Sequence, residues 1–363
     1  MGDTEAEVED LTRRLVEIPS HEDETEAGDF IEDWLCDETD AEVSVERDEA
    51  GNVLAWYGEP RTALVGHHDT VPPADSQTKD SIPTVEKRDG RLYGRGTADM
   101  KGALAAAMVG FRDASTDGAA FASFVGEESG GIGAKYATSH GFVPDRAVVT
   151  EGSAGYSSSG AFDVAVAHRG RRELRVVARG EAKHAGEADD ESNAVYTAVD
   201  SINRIRRYES PTVEVNAGDE DTVFEVEGSL TVTGIEGRGE ATNVVPSRCG
   251  FVVDERTVPN APPYDLDELE AEASVVDEMP PMECDDPEFA RTVREAARST
   301  GTGTSEFVVK PHATDAGWLA QAGSSCVVCG PAERGEAHTD DESVPVDALV
   351  RAERVYRRVL EIS

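Results

Sequence analysis

Five separated segments of the chain contain histidines or carboxylates at positions typical of strand ends and turns. They are Gly66-His67-His68-Asp69-Thr70-Val71-Pro72, Gly94-Arg95-Gly96-Thr97-Ala98-Asp99-Met100-Lys101-Gly102, Gly126-Glu127-Glu128-Ser129-Gly130, Thr150-Glu151-Gly152-Ser153 and Ala337-His338-Thr339-Asp340. This mixture of imidazoles and carboxylates suits borderline divalent cations such as zinc. Two such ions ~3.5–4 Å apart can activate a water molecule against a carbonyl or phosphoryl group. The pattern therefore predicts a two-metal hydrolase.

His67 and Asp69 are two residues apart, so at a strand end their side chains project to the same face. A histidine that binds a metal usually has a carboxylate beside its other ring nitrogen, and Asp69 is placed for that role. The alternative is an ordinary pair of surface polar residues. The preceding apolar strand and the following Val71-Pro72-Pro73 favour the functional interpretation. His68 is expected to point away from the site.

Asp99 follows a glycine-rich turn. Gly94-x-Gly96-x-x-Asp99 superficially resembles a dinucleotide-binding fingerprint, but an anionic residue stands where the third glycine belongs and would repel a pyrophosphate. A carboxylate held by such a turn can instead bridge two cations with its two oxygens. The neighbouring Lys101 is expected to form a salt bridge.

Glu127 and Glu128 follow an apolar strand and have glycines on both sides. Adjacent side chains leave the backbone in different directions, so one carboxylate can bind a metal while the other accepts the proton of an activated water molecule. In a chain with 74 acidic residues, two adjacent glutamates mean little by themselves. Their position after a strand gives them meaning, and Glu151 repeats this pattern after its own strand.

Apolar periodicity predicts the elements that carry these residues. Helices are expected at residues 4–18, 24–35, 103–111 and 132–138, and strands at 43–45, 53–57, 63–65, 121–125 and 147–149. Alternating strands and helices favour an α/β fold with a mostly parallel sheet, in which sites lie at the carboxyl ends of strands. Further along, a helix at 289–297, a strand at 327–328 and a helix at 346–360 are expected.

The middle of the chain lacks metal-type residues at its strand ends. Strands are expected at 174–177, 230–235 and 249–254, and helices at 193–205 and 265–273. Paired prolines at 262–263 and 280–281 interrupt this region. The sequence therefore predicts a catalytic domain formed by residues 1–169 and 282–363, with an α+β domain of residues 170–281 inserted into it.

Composition restricts the class of partner. The chain of 363 residues has 74 acidic and 34 basic residues, a net charge of −40, and six of the basic residues are lysines. Such a surface repels nucleic-acid phosphates. At molar salt the Debye length falls to ~3 Å and self-repulsion is screened, so a salt-adapted protein is expected.

No signal peptide or membrane span is recognisable, which favours a cytoplasmic location. Cys326-Val327-Val328-Cys329 is interpreted as a buried strand.

In this order, the five segments resemble the M20 family of metallopeptidases and amidohydrolases over nearly the whole chain. The resemblance implies two bound divalent ions, zinc, cobalt or manganese, and the following roles: Asp99 bridges both ions, His67 and Glu151 complete one site, Glu128 and His338 complete the other, Glu127 is the general base, and Asp69 orients His67. It also implies a cis peptide bond at Asp99-Met100. The inserted domain resembles the family's lid and dimerisation domain, and His184 matches a histidine that stabilises the oxyanion, in some members across a homodimer.

The sequences of several segments are most similar to those of the succinyl-diaminopimelate desuccinylase branch. Asn243, Arg171, Thr314 and Arg256 match segments that contact the substrate there, Arg256 as a possible carboxylate clamp with a surface salt bridge as the alternative. Most of these motifs are shared by other members of the family: acetylornithine deacetylases, hydrolases of carrier-protein-bound lysine or ornithine, and carboxypeptidases or dipeptidases. The expected substrate is a small N-acylated amino acid.

Two other classes of function stay open at this point. A non-catalytic relative could act as a binding protein, but it would be expected to have lost ligands or the base, and none is lost. A phosphoesterase could also use two metals, but the segments contain no evident Lys/Arg cluster for a phosphate group.

Overall fold

The computed structural model describes residues 2–216, 222–301 and 304–362. Its helices are α1 Gly2–Glu17, α2 Thr25–Glu38, α3 Lys101–Ala114, α4 Ile132–Ser139, α5 Ala194–Ile205, α6 Pro287–Ser299, α7 Ala316–Ala322 and α8 Val346–Ile362. Within the described ranges, none of these helices is both long enough and apolar enough to cross a membrane.

The strands are short and follow one another in two groups. In chain order they are β1 Val43–Arg47, β2 Val53–Tyr57, β3 Thr62–His67, β4 Thr78–Lys79, β5 Ile82–Pro83, β6 Glu86–Arg88, β7 Arg91–Tyr93, β8 Ala119–Phe124, β9 Arg146–Val149, β10 Val164–His168, β11 Arg171–Arg179, β12 Lys183–His184, β13 Thr212–Asn216, β14 Val223–Glu227, β15 Ser229–Glu236, β16 Val244–Val245, β17 Arg248–Arg256, β18 Glu272–Met279, β19 Met282–Glu283, β20 Phe307–Lys310, β21 Ser325–Val328 and β22 Ser343–Pro345.

A large sheet carries the predicted metal-binding segments. Its order is β1-β2-β8-β3-β9-β21-β10-β19, and β20 pairs with β10. The central strands β8, β3, β9 and β21 are parallel, and antiparallel pairs flank them. Every residue of β3 and β8 is buried, as expected for parallel strands covered on both faces. The prediction of an α/β fold with a mostly parallel sheet is confirmed.

Helices cover both faces of this sheet. Adjacent residues of each strand point to opposite faces, and both sets of side chains are buried in the central strands. Leu64 of β3 belongs to a core that includes Leu349 of α8 and residues of α1 and α3. The next residue, Val65, belongs to a second core with Leu319 of α7 and residues of α4. The central strands are thereby held rigidly, which fixes the positions of the loops at their ends.

A second, antiparallel sheet has the order β15-β17-β11-β18. Residues on one face of β11 and β17, such as Val176 and Phe251, pack with Ala198 of α5 in a separate core. All four strands lie within residues 170–281, and β10 before them and β19 after them belong to the large sheet. We call residues 170–281 the lid, and its status as an inserted domain stays a prediction.

The helix expected at residues 265–273 is wrong. Leu266–Glu268 is a single 3₁₀ turn, begun by Asp265, whose side chain accepts a hydrogen bond from the amide of Asp267. The chain then enters β18, which pairs with β11. Leu269 does reach the core of the lid, but Val275 and Val276 favour a strand, and pairing with an available sheet edge prevails over the apparent helical spacing.

The Cys326–Cys329 segment forms β21 and the residue after it. Both cysteines are buried and neither forms a disulfide. The interpretation of this segment as a buried strand is confirmed.

Candidate metal centre

The predicted ligands lie at one edge of the large sheet. His67 is the last residue of β3, Glu127 follows β8 and Glu151 follows β9, and these three strands are neighbours. Asp99 lies in the loop before α3, and His338 lies between β21 and β22. The carboxyl ends of parallel strands meet at this edge, which is where open α/β sheets place their sites.

Two groups of potential ligands form there, and within each group the ligand atoms lie within 4.8 Å of one another. One group contains His67, Glu127 and Glu151, and the other contains Asp99, Glu128 and His338.

Asp99 stands between the two groups. Its Oδ1 is 3.3 Å from Nε2 of His67, and its Oδ2 is 3.2 Å from Nε2 of His338. Nε2 of His338 is also 2.8 Å from Oε1 of Glu128. The Asp99–Met100 peptide bond is cis, as the family resemblance implied. A carboxylate with one oxygen directed at each group is suited to bridging two cations.

Asp69 organises the residues around it. Its Oδ1 is 3.1 Å from Nδ1 of His67 and accepts the amide of Glu127 at 3.1 Å, and its Oδ2 accepts the amide of Glu128 at 3.0 Å. Burial raises the pKa of Asp69, but His67 and the amide of Glu128 outweigh burial and lower it. Asp69 therefore stays anionic, holds the His67 ring and fixes the Glu127-Glu128 turn.

The side chains of the site attract positive charge strongly. Burial opposes protonation of His67, yet Asp69, Asp99 and Glu127 outweigh it and raise the pKa of the imidazole. Hydrogen bonds with Asp99 and Glu128 raise the pKa of His338 to about 10. Burial, reinforced by the charge of Glu151, raises the pKa of Glu127. The carboxylates thus favour a cation in the space that the histidine nitrogens face.

Two buried atoms test whether a metal ion fits this arrangement. Nε2 of His67 and Oε1 of Glu151 are shielded from solvent and have no hydrogen-bond partner among the described residues. A buried polar atom without a partner costs free energy. Such a ring nitrogen and carboxylate oxygen, on residues that the fold brings together beside the carboxylate of Asp99, are donors of the kind that a zinc-type ion binds. The donor set fits the metal.

Lys310, which we did not single out from the sequence, contacts the proposed centre. Its Nζ lies 3.0 Å from Oε2 of Glu151, and both side chains are almost fully buried. Burial favours the neutral lysine, but Glu151 outweighs it and raises the pKa of Lys310. The pair occupies one oxygen of Glu151 and leaves the other free for a metal ion. Asp315 is also buried nearby, and neither of its oxygens has a hydrogen-bond partner in the described chain.

The salt bridge expected for Lys101 is wrong. Its Nζ donates hydrogen bonds to the backbone carbonyls of Leu15 at 2.9 Å and Ile18 at 2.7 Å, and burial lowers its pKa to about 7. Lys101 therefore ties the start of α3 to the end of α1. His68 points away from the metal residues, as expected, and its Nδ1 is 2.8 Å from Oγ of Ser123.

The two arginines considered for substrate binding lie on the lid sheet and contact carboxylates of the lid. Arg171 binds Asp277 at 2.8 Å and Asp254 at 3.4 Å, and Arg256 binds Asp254 at 2.7 Å. A side chain at Gly130 would approach Oδ1 of Asp277 to 2.1 Å, so the lid meets the loop that carries the two glutamates. The arginines thus lie beside the metal-bearing loop, and their guanidinium groups already have acidic partners.

The other candidates occupy different surroundings. Thr314 is fully buried, and its Oγ1 lies 3.1 Å from Nε2 of His168. Asn243 and His184 lie together in the lid, because β12 pairs with β16 and the amide of Ala185 donates to the carbonyl of Asn243. His184 is exposed, and its Nδ1 accepts the amide of Gly186.

Residues 63–362 match Peptidase family M20/M25/M40, and the chain belongs to this family of hydrolases. The match begins in β3 and ends with α8, so it includes the whole candidate centre and the lid.

Similar proteins differ in the amide that their names specify. The acetylornithine deacetylase of Myxococcus xanthus is 30% identical over 329 residues, 84% of this chain and 80% of that protein. A putative LysW-lysine/LysW-ornithine hydrolase of Aeropyrum pernix is 28% identical over 87% of this chain and 85% of its own length. The succinyl-diaminopimelate desuccinylase of Acidiphilium cryptum is 25% identical over 86% of both.

A solved structure has the same fold. The aminopeptidase PepT from Bacillus cereus superimposes with a TM-score of 0.74 at 20% sequence identity and covers 98% of each chain. At this identity the likeness concerns the fold, and the substrate must be inferred from the site.

Proposed function

We propose that this protein is a two-metal amidohydrolase that removes an acyl group from a small amino-acid derivative. The convergence of two histidines and four carboxylates at one sheet edge, with Nε2 of His67 and Oε1 of Glu151 buried and without a hydrogen-bond partner in the described chain, is the observation that carries the proposal. The separate groups around His67 and His338 favour two ions, and the intact ligand set favours an enzyme over a binding protein.

We divide the ligands as the resemblance to the family implies. Asp99 faces both groups, His67 and Glu151 hold one ion, and Glu128 and His338 hold the other. Two bound divalent cations would polarise the amide carbonyl and lower the pKa of a water molecule toward ~7. Zinc, cobalt and manganese all accept these nitrogen and oxygen donors.

Glu127 is the proposed general base. Its backbone amide is fixed by Asp69, and its Oε2 lies 4.0 Å from Nε2 of His67. From this position the carboxylate can accept a proton from water and deliver it to the leaving nitrogen. Geometry alone also allows Glu127 to be a ligand, because it belongs to the His67 group. The adjacent Glu128 provides the matched comparison that separates these roles.

Glu127→Gln tests this assignment, since glutamine has the same shape but cannot act as a base. Turnover should fall by ~10²–10⁴-fold, while the metal content measured by mass spectrometry stays near two per chain. Glu128→Gln should instead lower the metal content. If the Glu127 variant lost metal and the Glu128 variant retained both ions, the two roles would be reversed.

The substrate that we place first is N-succinyl-diaminopimelate, which would make the chain an enzyme of lysine biosynthesis. The similarity of Gly66–Pro73, Pro83-Thr84-Val85 and Arg91–Gly102 to desuccinylases supports this choice. Arg171 and Arg256 could bind its carboxylates by exchanging lid partners such as Asp254, with Asn243 and Thr314 as further contacts. Acetylornithine and LysW-bound lysine or ornithine follow from the names of the relatives.

A panel of substrates decides among these possibilities. We expect kcat/KM to be highest for N-succinyl-diaminopimelate among N-succinyl-diaminopimelate, N-acetylornithine, N-acetyl-lysine, LysW-linked lysine and simple dipeptides. Hydrolysis of N-acetylornithine at a higher kcat/KM would retain the amidohydrolase class and change the substrate. Hydrolysis of dipeptides alone would replace the amidohydrolase with a dipeptidase.

We further propose a cytoplasmic, salt-adapted homodimer that associates through the lid. His184 makes no hydrogen bond or ion pair with the metal-centre residues within the described chain, yet it matches an oxyanion-stabilising histidine. Exposed apolar side chains on α5 of the lid, Tyr196 and Val199, offer a surface for a second copy. Association through this surface would let His184 serve the partner's site.

A further inference from the structure

A carboxylate outside both ligand groups lies at the junction of the segments that carry them. Glu342 follows His338 by four residues and precedes β22, and its side chain is fully buried. In a chain of net charge −40, a carboxylate without contact with solvent requires partners that compensate it. Those partners identify what Glu342 does.

Within the described chain, all the hydrogen bonds of its carboxylate go to the loop that carries Asp99. Oε1 of Glu342 accepts the backbone amides of Gly96 at 2.9 Å, Ala98 at 3.0 Å and Asp99 at 3.1 Å. Oε2 accepts Nη1 of Arg95 at 2.6 Å. Backbone amides that converge on one oxygen form an anion-binding concavity, and here the anion is part of the chain itself.

The conformation of the loop depends on this concavity. Gly96 has φ +87°, a left-handed conformation that L side chains rarely adopt, and it turns the following amides toward Glu342. The amide of Asp99 is one of the three that Glu342 holds, so the carboxylate fixes the backbone of the residue that faces both histidines.

The same network reaches the other ligand segments. The backbone carbonyl of Glu342 accepts the amide of Gly94 at 3.0 Å, which joins the His338 segment to the start of the Asp99 loop. Nε of Arg95 donates to the carbonyl of Pro72 at 3.3 Å, three residues after Asp69. One buried Glu342–Arg95 pair therefore links the segments that contain His67, Asp99 and His338.

We infer that Glu342 is a positioning residue that holds the Asp99 loop in its metal-binding conformation before any metal is bound. Its partners all belong to the chain, so this arrangement does not need a metal ion to form. Outer residues that orient ligands change metal affinity or activity by ~10–100-fold when they are replaced. The inference rests on the assignment of Asp99 and His338 as ligands in the proposed function.

Glu342→Gln tests the inference because glutamine fills the same space but presents an amide group to Arg95 or to the backbone donors. The zinc dissociation constant, measured by competition with a chromophoric chelator, should rise by ~10–100-fold. In the metal-free protein, hydrogen exchange at the amides of Ala98 and Asp99 should accelerate at least ~10-fold, because their charged acceptor is replaced by a neutral carbonyl oxygen or by an NH2 group that cannot accept.

Glu353→Gln is the matched control. Glu353 is also a buried carboxylate, but it lies on α8 beside Arg357, and no ligand segment contacts its side chain among the hydrogen bonds and ion pairs of the described chain. This variant should retain zinc affinity and the protection of the Ala98 and Asp99 amides, whatever it does to the melting temperature. A loss of zinc affinity that is equal in both variants would reduce Glu342 to a general contributor to stability.

Arg95→Met provides a second variant if Glu342→Gln does not fold. It removes the ion pair and leaves the carboxylate and its three amide donors, so an intermediate rise in the zinc dissociation constant is expected. Unchanged zinc affinity together with unchanged amide exchange in the Glu342 variant would overturn the inference. Faster exchange in the metal-free protein without any change in metal affinity would instead show that the loop is held by Glu342 but that Asp99 is not a ligand, which contradicts the proposed function.

Discussion

Replacing Lys310 with methionine should destabilise the metal-free protein much more than the metal-loaded one. Lys310 and Glu151 form a buried pair 3.0 Å apart, and removing one partner leaves a buried charge uncompensated. Such changes cost about 3–5 kcal/mol. An unfolding entropy of about 2.1 cal/mol/K per residue over 363 residues gives roughly 0.76 kcal/mol/K. The melting temperature of the metal-free variant should therefore fall by about 4–7 °C.

Zinc should reduce this deficit, because an ion bound by Glu151 supplies the positive charge that Lys310 has lost. The assay is thermal unfolding of the wild type and of Lys310→Met, each after chelation and again with saturating zinc. Lys87→Met is the matched control: Lys87 pairs with Glu9 at 2.6 Å, but its side chain is 41% exposed. Exposed pairs contribute about 0–1 kcal/mol, with no dependence on zinc.

A double substitution makes the reasoning refutable. In metal-free protein, Lys310→Met combined with Glu151→Gln should be more stable than Lys310→Met alone, because no buried charge is left without a partner. If the double variant were no more stable than the single one, Lys310 would not compensate Glu151. If zinc left the deficit of Lys310→Met unchanged, Glu151 would not hold the ion.

Three further predictions concern the lid, salt and pH. His184→Ala should lower kcat by ~10²–10³-fold with metals retained, and mixing it with Glu127→Gln should restore some activity if the histidine acts across a dimer; no recovery after verified subunit exchange would contradict that. The melting temperature should rise from about 0.1 M to about 2 M KCl as repulsion among the acidic residues is screened, and a flat or falling curve would remove the case for salt adaptation. Burial lowers the pKa of His168 to about 3 from a usual 6.5, so its contribution to stability is complete above that usual value and is lost, by about 1.4 kcal/mol per pH unit, as the pH falls toward 3. His168→Gln should flatten this acid limb of unfolding free energy against pH, and an unchanged limb would contradict the assignment.

Elements with a strong local apolar pattern could be predicted from the sequence. The strand expected at residues 53–57 is β2, and the helices expected at 132–138 and 346–360 begin at the same residues as α4 and α8. The apolar spacing of the two helices records packing against the sheet, and the apolar run of β2 records a strand buried on both faces; both are local signals. The segment at 265–273 failed because its conformation depends on the free edge of β11, a remote partner that spacing does not record.

The proposed ligands could be predicted from the sequence for a related reason. His67, Glu127 and Glu151 lie at the ends of strands with a clear apolar pattern and Asp99 lies just before a helix, and topology brings the ends of neighbouring parallel strands together, whereas His338 lies in the loop between β21 and β22. The residues that position these ligands could not be predicted from the sequence in this way. Glu342 reaches amides 243–246 residues away, and Lys101 reaches carbonyls 83 and 86 residues away. No periodicity links such partners, since only the folded chain brings them together.

Composition decides how much a single residue type can indicate in this chain. Because the chain has 74 acidic residues, a glutamate at position 342 does not stand out in the sequence. Lysine is different, because the chain has only six, and two of them, Lys101 and Lys310, are buried beside the proposed centre. A buried lysine is costly unless its charge is paired or its donors are used, and here one is paired with Glu151 and the other is held by two carbonyls. In a lysine-poor protein, a lysine at the end of an apolar strand such as Phe307–Lys310 therefore indicates a structural or functional partner in the interior, and the sequence of this chain contained that signal.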